Sequence, residues 1–224
     1  MSPIRILYED AELLVIDKPA GLAVHPGPRT PRSLEDHLDA LRLGFQRRPA
    51  PAHRLDRDTS GCLLLARNPR ALKRLGQLFE AGKVDKTYLA LLAAPLGGEG
   101  EIEVPLKKVS SREAGWRMIV DSGGKAALTR WRALAQGGGT TLVEFRPATG
   151  RTHQLRAHAA HALAPIVGDP VYGEGRGGLR LHAAHIGFPW RGGRIEVDAP
   201  LPGWARDAGA PVSADASAPA RSRR

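Results

Sequence analysis

His53-Arg54-Leu55-Asp56-Arg57-Asp58-Thr59-Ser60-Gly61 runs almost directly into Leu63-Leu64-Leu65-Ala66. A polar loop with a histidine and two carboxylates thus enters a short apolar run that reads as a buried strand. Such a strand fixes the backbone while the loop faces a cleft, a good setting for reactive groups. Downstream, Asn68 and Pro69 start a helix with Leu72, Leu75 and Phe79 on one face and Gly82 near its end. Upstream, Ile4 to Tyr8 and Leu13 to Asp17 read as two strands joined by the turn Glu9-Asp10-Ala11-Glu12, and Lys18-Pro19-Ala20-Gly21 breaks the pattern. Ser33 with Asp36 resembles a capping box, and Leu34, Leu38 and Leu41 follow at helical spacing.

Further along, Thr87 to Leu92, Glu101 to Pro105, Ala126 to Leu134 and Thr141 to Arg146 read as strands. Thr152 to His161 reads as a helix, and Leu179 to Phe188 and Ile195 to Val197 close the sheet. Strands outnumber helices without regular alternation, which favours an α+β fold with a mixed, mostly antiparallel sheet over a doubly wound parallel one. No internal repeat is evident. Residues 205–224 lack apolar periodicity and end in Arg221, Arg223 and Arg224, so they are expected to be a disordered tail behind a domain spanning 1–204.

The chain has 224 residues, enough to bury a sizeable core; 42% are hydrophobic and 25% charged, which argues against wholesale disorder. One cysteine, Cys62, excludes an intramolecular disulfide and a cysteine-based zinc cluster, and suits a reducing compartment. With no membrane-length apolar run and no leader pattern at the N-terminus, a soluble, cytoplasmic protein is expected. The net charge is +10, and all but seven of the 33 basic residues are arginine. Arginine forks onto phosphate and stacks on bases, so the balance points toward a polyanion such as nucleic acid, although a GC-rich coding sequence yields the same excess.

Two more segments invite chemistry. Lys86-Thr87-Tyr88-Leu89-Ala90 places a tyrosine at a strand start, where it either packs or lends a base pocket a flat face and a phenol. Thr149-Gly150-Arg151-Thr152-His153-Gln154-Leu155-Arg156-Ala157-His158 pairs a turn glycine with a basic helix. The histidines, among them His153, His158, His161, His182 and His185, lack cysteine or glutamate at a metal-ligand spacing, so no metal is expected. A hydrolase triad of Ser60, His53 and Asp56 lacks the Gly-x-Ser-x-Gly elbow. Gly137 to Gly139 and Gly175 to Gly178 lack the Lys-Ser or Lys-Thr of a phosphate-binding loop.

Taken together, these segments resemble the RluA-type pseudouridine synthases, which convert uridine in structured RNA to its C-glycoside isomer. The family's His-Arg-Leu-Asp-x-x-Thr-Ser-Gly reads here as His53 to Gly61, and its Gly-Arg-Thr-His-Gln-Leu-Arg-x-His as Gly150 to His158. Leu14-Val15-Ile16-Asp17-Lys18-Pro19-x-Gly21, Pro165-Ile166-Val167-Gly168-Asp169-x-x-Tyr172-Gly173 and Leu181-His182-Ala183 match as well, in the expected order over residues 4–200. Cys62 stands where the family commonly has an aliphatic residue, a small change because cysteine packs as one.

The resemblance implies a pseudouridine synthase fold with a central catalytic cleft, and Asp56, not Asp58, as the catalytic residue. It implies that Arg156 pairs with Asp56, that Tyr88 stacks on the uracil, and that Leu181 walls the pocket. Arg54 is expected to fill the space left by a flipped-out base or to hold the rearranged loop. Arg47, Arg48 and Arg57 are expected to meet phosphates. No cofactor is expected. The expected partner is a tRNA or 23S rRNA stem-loop, and the expected state a monomer. The chain starts almost at the catalytic domain, so the ribosomal-protein-like module of longer relatives is expected to be absent. The competing reading is an RNA-binding module of the same fold without activity.

Overall fold

A computed structural model describes residues 4–27, 30, 32–111 and 115–211. In chain order the strands are β1 (Arg5–Glu9), β2 (Leu13–Lys18), β3 (Ala50–Pro51), β4 (Ser60–Ala66), β5 (Asp85–Leu92), β6 (Glu99–Glu103), β7 (Leu106–Ser111), β8 (Gly115–Val120), β9 (Leu128–Gly137), β10 (Thr140–Pro147), β11 (Leu181–Trp190) and β12 (Gly193–Asp198). The helices are α1 (Pro69–Glu80), α2 (Gln154–Ala162) and α3 (Gly203–Asp207). The excess of strands agrees with the α+β expectation. The chain divides into two compact units, one of residues 1–86, 183–200 and 213–224, the other of 87–182 and 201–212.

In the first unit the strand order is β1-β2-β4-β11-β12, with β3 also on β4. β1 and β2 form an antiparallel hairpin, and β2 lies antiparallel to β4, with Leu14 opposite Leu65 and Ile16 opposite Leu63. The hairpin turn is fixed by Asp10, whose carboxylate accepts the Glu12 and Leu13 amides at 2.7 Å each. β4 is buried on both faces: Cys62, Leu64 and Ala66 join Leu13, Val15, Ile186 and Phe188 in one core with Ala71 and Leu75 of α1. Asn68 caps α1 by accepting the Ala71 amide at 2.9 Å, and Pro69 occupies its first turn, as the sequence predicts.

The Ser33–Asp36 capping box forms, but the helix expected through Leu41 is two 3-10 turns, Leu34–His37 and Ala40–Arg42. Successive short turns bury Leu34, Leu38 and Leu41 as a continuous helix would, so the apolar spacing does not separate the two.

In the second unit the order is β5-β10-β9-β6, all antiparallel, and β7 and β8 form a separate antiparallel hairpin that the sequence reading did not anticipate. Ala90, Leu92, Val143, Phe145, Leu155 and Leu181 anchor its main core. Leu106, Met118 and Ala127 bind the hairpin to Ala157 of α2. Residues 205–211, expected in the tail, instead complete α3 and the turn after it; Ala205 and Ala210 are buried, and the small alanine side chains dock where no long periodic pattern is needed. The rest of that tail lies outside the described residues.

Candidate active site

Asp56 sits half-buried in the loop between β3 and β4. The loop is anchored through the Arg57 carbonyl, which accepts the Gly21 amide at 3.0 Å and the Lys18 ammonium at 2.9 Å. Lys18 ends β2, is fully buried, and also donates to the carbonyls of Pro19 at 2.9 Å and Leu22 at 2.8 Å. Burial pushes its pKa down to about 8, opposed by the charges of Asp58, Asp56 and Asp17. The Thr59 amide closes a turn onto the Asp56 carbonyl at 3.2 Å. The two carboxylates of the loop are thereby distinguished. Asp58 is engaged by the exposed Arg57 guanidinium at 3.0 Å, whereas the Asp56 backbone is held by the turn and by the clamp on its neighbour.

His53 braces this loop from below. Its Nε2 accepts the Leu64 amide at 3.0 Å and its ring lies 5.0 Å from Phe79 of α1. Burial and the Lys86 charge push its pKa down to about 3, against a hydrogen bond with the Arg54 backbone, so the imidazole is neutral at physiological pH. Gly61 follows with φ +104°, and a Cβ there would overlap the Ala183 carbonyl, so only glycine lets β4 approach β11 at the loop exit.

In the second unit the Gly150–His158 segment forms the start of α2. Gln154 bridges the turn to the sheet: its Oε1 accepts the Thr149 hydroxyl at 2.7 Å and the Arg151 amide at 3.0 Å, and its Nε2 donates to Leu128 O and Thr129 Oγ1 at 3.0 Å each. His158 lies between Thr129 Oγ1 at 3.0 Å and the Val104 carbonyl at 3.1 Å, so its ring nitrogens serve the fold. Arg156 is buried and forks onto Asp169, with Nε to Oδ2 at 2.7 Å and Nη2 to Oδ1 at 2.8 Å. Asp169 Oδ1 also accepts the amides of Val171 at 2.8 Å and Tyr172 at 3.1 Å. Burial raises the Asp169 pKa, but Arg156 and these two amides outweigh it and hold the carboxyl below its usual range. The Tyr172 ring lies 5.4 Å from the guanidinium carbon.

Tyr88 and Leu181 share one cluster in this unit: Leu181 is buried with Leu155, the neighbour of Arg156, and Tyr88 packs partly buried against them. Arg54 is exposed in the first unit. The structure thus gathers Tyr88, Leu181 and the α2 segment carrying Arg156 in one unit and Asp56 with Arg54 in the other. Lys18, His53, Asp169 and Tyr172 stand in the matched motifs but carry no sequence-level role of their own; a lysine closing an apolar strand just before Pro19 is the one local signal for the clamp. Among the described residues no three His, Cys, Asp or Glu side chains gather as a metal-binding group. Cys62 is buried, and burial raises its thiol pKa.

A family model described as RNA pseudouridylate synthase matches residues 12–161. An uncharacterized RNA pseudouridine synthase of Zymomonas mobilis is 50% identical over 205 residues, which cover 88% of this chain and 94% of the relative. A ribosomal large subunit pseudouridine synthase D of Xanthomonas campestris is 37% identical, over 89% of this chain but 66% of that protein. Among solved structures, human RNA pseudouridylate synthase domain containing 1 superposes with a TM-score of 0.74 at 30% identity, over 89% of this chain and 84% of that one. Human RNA pseudouridylate synthase domain containing 4 shares the fold, with a TM-score of 0.76 at 24% identity and 91% of each chain covered. A family model that spans most of the chain and relatives this similar over nearly all of it lead to one conclusion: the chain belongs to the RluA-type RNA pseudouridine synthases, a family of isomerases.

Proposed function

We propose that the protein isomerises a uridine of tRNA or 23S rRNA to pseudouridine, with Asp56 as the catalytic carboxylate. The observation that carries this reading is the clamp on the Asp56 loop: the fully buried Lys18 ammonium and the Gly21 amide of the turn after β2 both fix the Arg57 carbonyl. A loop held this firmly aims a carboxylate before substrate arrives, which is what a charge developing at a sugar carbon needs.

The reaction is redox neutral. The N1–C1′ bond of uridine breaks, the uracil turns, a C5–C1′ bond forms, C5 loses its proton and N1 gains one. A carboxylate serves this chemistry by attacking the sugar, by attacking the base, or by assisting a glycal route, and each begins at the same oxygen pair. Arg156, its plane set by Asp169, is the proposed ionic partner of Asp56. Tyr88 offers the uracil a flat face and a phenol for proton traffic, Leu181 closes the apolar side, and Arg54 takes the place of the extruded base. Exposed arginines such as Arg47 and Arg48 contribute affinity through phosphates.

Unmodified tRNA and 23S rRNA transcripts incubated with wild type, digested, and read by mass spectrometry with a label specific for pseudouridine should acquire the label. Asp56→Ala should bind the same RNA and leave it unlabelled. RNA bound but unmodified by wild type overturns the proposal in favour of a binding module. Mapping pseudouridines in a deletion strain identifies the position.

A further inference from the structure

Trp116 is out of keeping with its strand. In the β7–β8 hairpin Ser110 faces Trp116 and Lys108 faces Met118, so these four side chains share one face. Toward the base of the hairpin that face is core, where Met118 and Leu106 pack with Ala157 of α2. Beyond Met118 the core ends, yet the next residue on the face is an indole, 41% exposed.

The indole is oriented. The His153 ring lies 4.6 Å from it at an interplanar angle of 35°, and Lys108 Nζ lies 5.0 Å from its centroid. Lys108 is exposed on the same face, Lys107 and Arg117 are exposed on the opposite face of the hairpin, and Lys125 and Arg151 are exposed in the segments that follow it and precede α2. Among the described hairpin residues, Asp121 is the acidic side chain near them, 3.4 Å from Lys107. A flat aromatic face with a lysine ammonium against it fits one ligand well: an unpaired nucleotide, with its base on the ring and its phosphate on Lys108.

The position is also telling. His153 Nδ1 lies 3.3 Å from the Tyr172 phenol, and Tyr172 in turn lies under Arg156. Trp116, His153, Tyr172 and Arg156 therefore form one continuous row along the start of α2, ending on the guanidinium assigned to the active site. We infer that Trp116, with Lys108, is a stacking site for an unpaired base of the RNA substrate close to the target uridine. This rests on the proposed RNA-modifying function and names a part of the substrate that the function alone leaves open.

A short single-stranded oligouridylate is a suitable probe, because stacking on an aromatic tolerates any base. It should quench the tryptophan emission of wild type. The chain has four tryptophans, so the difference between wild type and Trp116→Phe isolates the signal of this one. Trp116→Phe should keep most of the affinity and lose that part of the quenching; Trp116→Ala should weaken binding by about tenfold or more. Lys108→Met should reduce the slope of log affinity against log salt by about one. Equal quenching in wild type and Trp116→Phe, or unchanged affinity in a folded Trp116→Ala, overturns the inference. If the alanine variant fails to fold, the phenylalanine comparison still decides. Pseudouridine formation is scored separately. Activity without any Trp116 effect removes the stacking site alone, and Trp116-dependent binding without activity removes the catalytic reading alone.

Discussion

Arg156 and Asp169 meet in a buried two-point fork at 2.7 and 2.8 Å, and two backbone amides hold the same aspartate from behind. The arginine side chain is 6% exposed and the aspartate 0%, so neither has water to fall back on. The fork fixes the plane of the guanidinium through Nε and one Nη. An arginine so fixed presents its charge in one direction, which a lysine on a flexible stem does not.

Asp169→Asn leaves a buried cation without its counter-charge and is expected to cost about 3–5 kcal/mol in urea denaturation at neutral pH. Because the folded carboxyl of Asp169 titrates below its unfolded range, its contribution is complete above about pH 4 and fades as the pH falls through the folded value. The gap between wild type and Asp169→Asn should therefore narrow on acidification below about pH 4. A gap that stays constant into strong acid contradicts the ionic account. Arg156→Lys should lose both stability and turnover, and a folded, fully active lysine variant removes Arg156 from its assigned role.

Lys18 acts with the same sign as Asp169 but at the alkaline end of the pH profile. Its folded pKa is about 8 against an ordinary 10.5. Between these values the unfolded chain holds the proton and the folded chain does not, so raising the pH favours folding. Relative to Lys18→Met, wild type should gain up to about 1.4 kcal/mol per pH unit across that window. The Met variant keeps the chain length and discards the donors, so a pH-independent difference between the two proteins would show that Lys18 does not titrate in the folded state.

Two glycines on the same loop system separate clash from strain. Gly21 has φ +85° with nothing near its missing Cβ, so Gly21→Ala pays only for the left-handed backbone, about 1–2 kcal/mol. Gly61 combines φ +104° with overlap onto the Ala183 backbone, which no side-chain rotation relieves. Gly61→Ala should be destabilised by more than about 4 kcal/mol or fail to accumulate as soluble protein. Similar melting temperatures for the two variants would mean that β4 and β11 separate more easily than their packing implies.

Legibility in the sequence followed contact range. Leu13–Ile16 and Leu63–Ala66 are unbroken apolar runs, and such strands declare themselves without knowledge of their neighbours. β7 and β8 do not, because Lys108 and Ser110 interrupt the face that Leu106, Met118 and Val120 share, and Val109 and Ile119 put apolar side chains on the other face as well. The first turn of the tail hid for a related reason: Ala205 is buried by tertiary docking, and an alanine among prolines and glycines carries no period. The motif residues were legible as chemical types, but their supports were not. Lys18 bonds a carbonyl 39 residues away, and Asp169 lies 13 residues from Arg156. Those distances close only when the chain folds.

Tyr88 offers the sharpest separation of stacking from proton transfer. It lies on β5 opposite Phe145, and its ring packs partly buried on the cluster that contains Leu181 and Leu155. Tyr88→Phe keeps the ring and its packing, so its stability should change by about 1 kcal/mol or less. If the phenol moves a proton, turnover should fall by about a hundredfold or more while RNA affinity is retained. Tyr88→Leu removes the flat face as well, and should lose affinity in addition to turnover. Measuring kcat and KM for both variants on one RNA assigns the two contributions separately. A phenylalanine variant with full turnover beside a crippled leucine variant would leave Tyr88 a stacking residue only. Near-wild-type turnover in both would take it out of the site altogether, because a side chain whose ring and hydroxyl are both dispensable neither holds the base nor serves its protons.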